Sequence, residues 1–287
     1  MDRSRYNEII AEFSAASNHA RDVSHALAGL TCVEPHRLYA ELIFVKLLAH
    51  CITLRRLSPA VDGSPQTELW DLPSNSVIAR AAIEAFDALA YVALQPVQPV
   101  QREFRILLWE LHNGNRRAKM LEHIGSQHPR CAEILASAQG LEQRVIEHPC
   151  FNTLSPSLQK KIRSHGPPAF INSQRDRCLA NGINHDYYIF VTMELSQYAH
   201  TLPYAVNNLS KFRAGDAEAL QMMSLPIRYV LPFLLRATEG LRLLFPGITP
   251  EPPENVSRST TIWTEISARG LKDTDTNETL TPPAFKG

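Results

Sequence analysis

The sequence predicts an all-α protein, a multi-helix bundle of about seven to eight helices followed by a disordered tail. Three observations carry this. Apolar residues recur at helical spacing almost throughout the chain, with caps and breakers between the runs. No stretch alternates apolar and polar residues between hairpin turns, so no strand pattern appears. With 44% hydrophobic and 20% charged residues, the composition of the 287-residue chain is that of a globular protein able to bury a core.

The first helix is expected over Ser4 to about Ala28, with Ile9, Ile10, Phe13, Ala16 and Ala20 inward and Gly29 near its end. The second starts at Glu34-Pro35, where proline suits the first turn, and stops at Ser58-Pro59. Leu38, Leu42, Val45, Ala49 and Ile52 read as its core stripe. Ser74 caps a third helix, Asn75 to Gln95. A fourth spans Val100 to Ile124, with a kink expected at Asn113-Gly114-Asn115. Pro129 to Glu147 is the fifth, and Ser155-Pro156 opens a short sixth through Arg163. Gly166 to Asn184 reads as irregular, with one turn after Ser173. A seventh covers Asp186 to His200 and continues past Pro203, and Asp216 caps a last long helix to Phe245. That helix is expected to bend at Pro226 and Pro232. The helical domain therefore covers 1–245, and the Pro/Ser/Thr-rich segment 246–287 reads as disordered, with Thr261 to Ile266 a docking segment.

The 29 basic and 29 acidic residues balance, which speaks against a dedicated nucleic-acid binder. The charge is uneven, however. Arg102, Arg105, Arg116, Arg117, Lys119 and Arg130 form one local basic patch, and Lys160, Lys161, Arg163, Arg175 and Arg177 another. Such runs are most often solvated helix faces. Cys32, Cys51, Cys131, Cys150 and Cys178 include no C-x-x-C pair, as expected of free thiols in a reducing compartment. The N-terminus lacks the apolar region of a signal peptide, and charges interrupt every long apolar run. A cytoplasmic protein without a membrane span is expected.

The third helix carries the main candidate for chemistry. Arg80, Glu84, Asp87 and Tyr91 fall in one narrow polar stripe on a helix otherwise apolar, with seven alanines from Ala79 to Ala93. The stripe faces either a sliver of solvent or an interior cleft, where the charges need partners. The seventh helix offers Tyr188, Thr192, Ser196 and His200 in a line. Satisfied core polarity explains such hydroxyls. Together, Arg80, Glu84, Ser196 and His200 supply a cation, a carboxylate, a hydroxyl and an imidazole as candidate catalytic residues.

The strings SNSVIARAAIEAFDALAYV and YYIFVTMELSQYAH resemble a group of uncharacterised bacterial all-α proteins classed as a domain of unknown function. There an R-x-x-x-E helix precedes a distant helix of the type Y-x-x-x-x-x-x-x-S-x-x-x-H. The matching positions are Arg80 and Glu84, then Tyr188, Ser196 and His200, within Ser74 to Leu209. The resemblance implies a helical bundle and no established activity. Some such proteins are distantly similar to HEPN domains, helical ribonucleases and toxins of bacterial defence systems. The HEPN pattern sets an Arg, followed by a polar residue, with four to six residues intervening before a His. Arg105 with His112, and Arg116 or Arg117 with His123, have comparable spacings. With eleven histidines present such pairs also arise by chance.

Glycine-rich nucleotide cradles, the hydrolase elbow and H-E-x-x-H are absent from the sequence. His185-Asp186 resembles the metal-binding dipeptide of HD phosphohydrolases, but it lacks the apolar run that precedes that pair and is equally explained as an acid in a helix's first turn. No metal and no cofactor are expected. The expected function is a protein-interaction or regulatory module with a protein partner, a homodimer among the candidates. The alternative is a metal-independent HEPN-type endoribonuclease using Arg116, Arg117 and His123 on RNA.

Overall fold

The structure, a computed structural model, describes residues 1–58, 60–62, 70–164, 166–210 and 213–270. Among them are eleven α-helices and no strand. They are α1 (Arg3–Leu27), α2 (Pro35–Arg56), α3 (Leu72–Leu89), α4 (Pro99–His123), α5 (Arg130–Glu147) and α6 (Pro156–Arg163). Then come α7 (Gln174–Ala180), α8 (His185–Ala199), α9 (Pro203–Ser210), α10 (Ala217–Leu244) and α11 (Glu254–Arg269). The count exceeds the expected seven to eight for three local reasons.

Ser173 and Asp176 form a capping box that turns the stretch read as irregular into α7. Thr201 at φ 51 and Pro203 split α9 from α8. Part of the expected tail folds: in α11, Val256, Ser259, Trp263 and Ser267 are buried at three- and four-residue steps. Trp263 Nε1 and Ser259 Oγ both donate to Glu12 Oε1, at 2.9 and 2.7 Å, tying α11 to α1. The polar composition of 246–287 hid this amphipathic face. The remainder of that tail, 271–287, lies outside the described residues.

Other starts and stops differ in detail. Asp71, not Ser74, caps α3, accepting the Ser74 N–H at 2.9 Å. Helix α4 runs unbroken through Asn113-Gly114-Asn115, and Gly114 has another role. A Cβ there would lie 3.3 Å from Ala138 Cβ, so the glycine lets α5 approach closely.

The main core joins α1, α2, α3, α8, α10 and α11, with Phe13, Phe44, Ile83 and Phe233 fully enclosed. A second core packs Phe104, Leu107, Leu108 and Leu111 of α4 on Val145, Phe151 and Ile162. The stripe expected to bury α2 faces the other way. Ala40, Phe44, Leu47, Leu48, Cys51 and Leu54 point inward, while Leu38, Leu42 and Val45 are 48%, 58% and 48% exposed. Both stripes are apolar, and the inner one is wider, as a globular core face is.

The two cores meet at the end of α3. There the helix widens into a π-turn over Ala90–Leu94, closed by Gln95 N–H donating to Ala90 O at 2.9 Å. Arg102 donates to the carbonyls of Val92, Ala93 and Gln95 at 3.2, 2.7 and 2.7 Å. Arg105, 9% exposed, donates to Tyr91 O and Gln95 Oε1 at 2.9 and 2.8 Å and lies over the Tyr91 ring. Two arginines of α4 thus satisfy the carbonyls that a helix end leaves open. Arg105→Met keeps the stem but leaves those buried acceptors unmatched. Chemical denaturation is expected to show a loss of about 2–4 kcal/mol.

Candidate functional site

The polar stripe of α3 descends from solvent into the core. Arg80 Nε donates to Glu84 Oε1 at 2.9 Å, with the two side chains 35% and 56% exposed. Arg80 Nη1 also donates to the Thr192 carbonyl of α8 at 2.8 Å, and Ser196 Oγ donates to the same oxygen at 2.6 Å. Arg80 and Ser196 are therefore brought together on one main-chain carbonyl, with Glu84 held beside them by Arg80. The Ser196 proton is committed to its own helix, so no base activates this hydroxyl.

His200 stands apart from them. It caps the C-terminus of α8, is exposed, and takes part through its backbone N–H, which donates to Ser196 O at 3.3 Å. Tyr188 is buried against the Phe233 ring, and burial pushes its hydroxyl pKa up. The geometry gives a clamp between α3 and α8, with no imidazole in contact with hydroxyl or carboxylate.

The deeper half of the stripe is matched by partners. Asp87 accepts from Arg177 Nε of α7 at 2.9 Å, both side chains being buried. Burial pushes the Asp87 carboxyl pKa up, and the Arg177 guanidinium opposes that. Arg177 also donates to Asn172 O at 2.8 Å and covers the Phe170 ring. The fully buried Tyr91 accepts the Ile171 N–H through its hydroxyl at 3.3 Å. Both readings of the stripe thus apply, one to each half.

The alternative RNA-binding set is spread over the outer half of α4, where Arg116, Arg117 and His123 are all exposed. Arg116 lines a cleft with His112, Asn115, Lys119, Gly166 and Pro167. Arg117 turns toward another, beside Glu110 and Glu133. Adjacent helix residues diverge by about 100°, so the two arginines serve different faces. His123 ends the helix. Arg105 is taken up by the π-turn, and His112 Nδ1 lies 2.8 Å from Pro167 O.

Two further surfaces escaped the sequence reading. A cleft of ≈ 650 Å³ opens between α4 and α5 around Ala118, Leu121, Leu135 and Ala138. The other is the outward stripe of α2. Its strict four-three spacing was the available signal, since a coiled-coil seam is narrower than a core face. Among the described residues no group of three or more His, Cys, Asp or Glu is placed to hold a metal ion. None of their helices is long and apolar enough to cross a membrane.

His200→Ala is expected to leave stability within about 0.5 kcal/mol, whereas Arg177→Ala strands the buried Asp87 carboxylate and costs about 3 kcal/mol. Thermal and denaturant melts check both. Burial lowers the pKa of His19, His36 and His50; around His19, Arg242 also lowers it while Asp22, Glu239 and Glu251 oppose. The unfolded chain thus binds protons near pH 6.5 that the fold refuses. Stability present above that pH is expected to fall as pH drops below 6.5 toward the lowered folded-state pKa values, and His19→Leu to flatten part of the fall.

Set against protein-family models, curated proteins and solved structures, the chain matches none of them.

Proposed function

We propose that this protein is a non-catalytic helical interaction module that pairs with a second copy of itself, parallel, through α2. The exposed outer stripe of α2 carries the reading. Leu38, Leu42, Val45, Ala49 and Ile52 follow the a/d spacing of a coiled-coil seam, and the first four are exposed. A 22-residue helix is about 33 Å long, enough for three heptads.

Charge selects the occupant and its direction. With Leu42 and Ala49 at a, and Leu38, Val45 and Ile52 at d, Glu41 falls at g and Lys46 at e. In a parallel pair, a g residue meets the e residue five positions on in the other helix. Glu41 then faces Lys46 of the partner subunit, and the two-fold axis repeats the pair. Neither side chain has an ion pair within its own chain among the described residues. An antiparallel pair would bring e against e, and Lys46 toward its own copy.

The alternative, a metal-independent HEPN-type endoribonuclease, needs an arginine and a histidine converging on one phosphodiester. Arg116 and His123 lie two turns, about 10 Å, apart on one helix, and the His200 imidazole has no catalytic neighbour. The interaction reading therefore stands ahead of it.

Sedimentation and light scattering across concentration test the reading, and a dimer is expected. Leu42→Asp should weaken it at least about 30-fold with unchanged helicity and melting temperature, since the residue is exposed in the monomer. Glu41→Lys or Lys46→Glu alone weakens it, and the double exchange restores it. A monomer up to about 100 µM, or a dimer indifferent to Leu42→Asp, overturns the proposal. RNA cleavage in EDTA that His123→Ala abolishes would favour the ribonuclease.

A further inference from the structure

The cleft between α4 and the turn at Gly166-Pro167 is lined by groups of one kind. His112, Asn115, Arg116 and Lys119 occupy positions i, i+3, i+4 and i+7, hence one face of α4. They supply an imidazole, an amide, a guanidinium and an ammonium, and among the described residues no carboxylate lines the cleft. Its volume is ≈ 240 Å³, roughly eight waters at ~30 Å³ each.

Two details make this more than a run of surface cations. The His112 ring lies with Nδ1 2.8 Å from Pro167 O, and a carbonyl only accepts, so Nδ1–H donates and anchors the ring on the cleft wall. The Asn115 Nδ2 is buried and has no acceptor. Buried amide donors are nearly always matched, and an unmatched one beside two cations calls for an incoming acceptor. Arg116 and Lys119 form no ion pair within the chain among the described residues. Arginine, in addition, presents two parallel donors that fit two oxygens of one tetrahedral anion.

We infer that this cleft binds a phosphate group, held by Arg116, Lys119 and the Asn115 amide against the anchored His112. The group belongs either to a small phosphorylated molecule or to a nucleic-acid strand. The exposed Lys160, Lys161 and Arg163 of α6, just before the Gly166-Pro167 turn, extend the positive ground that a strand's next phosphates need. The inference is independent of the α2 pairing, which uses another helix.

Two probes test it on the full chain at fixed ionic strength: pyrophosphate by calorimetry and a short single-stranded RNA by anisotropy. Saturable binding is expected, weakened at least ten-fold by Arg116→Ala/Lys119→Ala and also by Asn115→Leu. Arg116 and Lys119 are exposed and Asn115 is half-buried, so melting curves of the free variants check that the fold is kept. Pyrophosphate binding unchanged in Lys160→Ala/Lys161→Ala assigns a small phosphorylated ligand. RNA binding at least ten-fold tighter than pyrophosphate, and reduced by those lysine variants, assigns a strand. Binding absent for both probes up to about 5 mM, or unchanged in the Arg116→Ala/Lys119→Ala variant, overturns the site.

Discussion

Arg102 and Arg105 hold the two halves of this molecule together by closing the end of one helix. A helix end leaves carbonyls without donors, and here those of Tyr91, Val92, Ala93 and Gln95 face the packed interior at the edge of both cores. Water has little access there, so α4 must deliver the donors. The same two side chains fix where α4 starts relative to α3, and with it the direction of the α4–α5 pair. Tyr91, Val92 and Ile106, packed with Trp109 and Phe170, fill the seam behind them.

Arginine is used repeatedly in this way. Arg236 of α10 donates to Asn181 O, Gly182 O and Thr264 O, at 3.1, 2.9 and 2.9 Å, joining α10 to the α7–α8 turn and to α11. Arg177 ties α7 to Asp87 of α3, and Arg80 ties α3 to α8. In each case a planar cation meets main-chain oxygens or a carboxylate that another helix presents. Much of what looked like candidate chemistry in the charged residues is thus the means by which helices of different length are locked in register. Lys46, Arg116 and Lys119, which form no ion pair among the described residues, are cations on which the functional readings rest.

Helix positions were legible because caps and breakers act locally. Pro35 opens α2, Ser155 caps α6 and Gly29 follows α1, each through its own backbone geometry. The α11 helix was hidden because Ser259 and Ser267 count as polar in any composition, though both are buried in the fold. The candidate site was legible only in part. Arg80 and Glu84 sit four residues apart and pair as that spacing requires. Whether Ser196 and His200 join them depends on how α8 turns against α3, and that turn brings the Thr192 carbonyl and Ser196 to Arg80 while His200 stays at the helix end.

The amino-acid sequence alone determined the all-α class, most helix starts and ends, and the apolar face of α1, because periodicity and capping depend on neighbours within a few residues. It also set two apolar stripes on α2 without ranking them. Tertiary structure decided which stripe went inward: α1, α3 and α10 press on the wider face of Phe44, Leu47, Leu48 and Cys51. Burying that face removes more apolar area from water than burying the narrow seam. The seam of Leu38, Leu42 and Val45 is left outside. The four-three spacing marks the seam in the sequence, but which face goes inward rests on the helices that arrive from elsewhere in the chain.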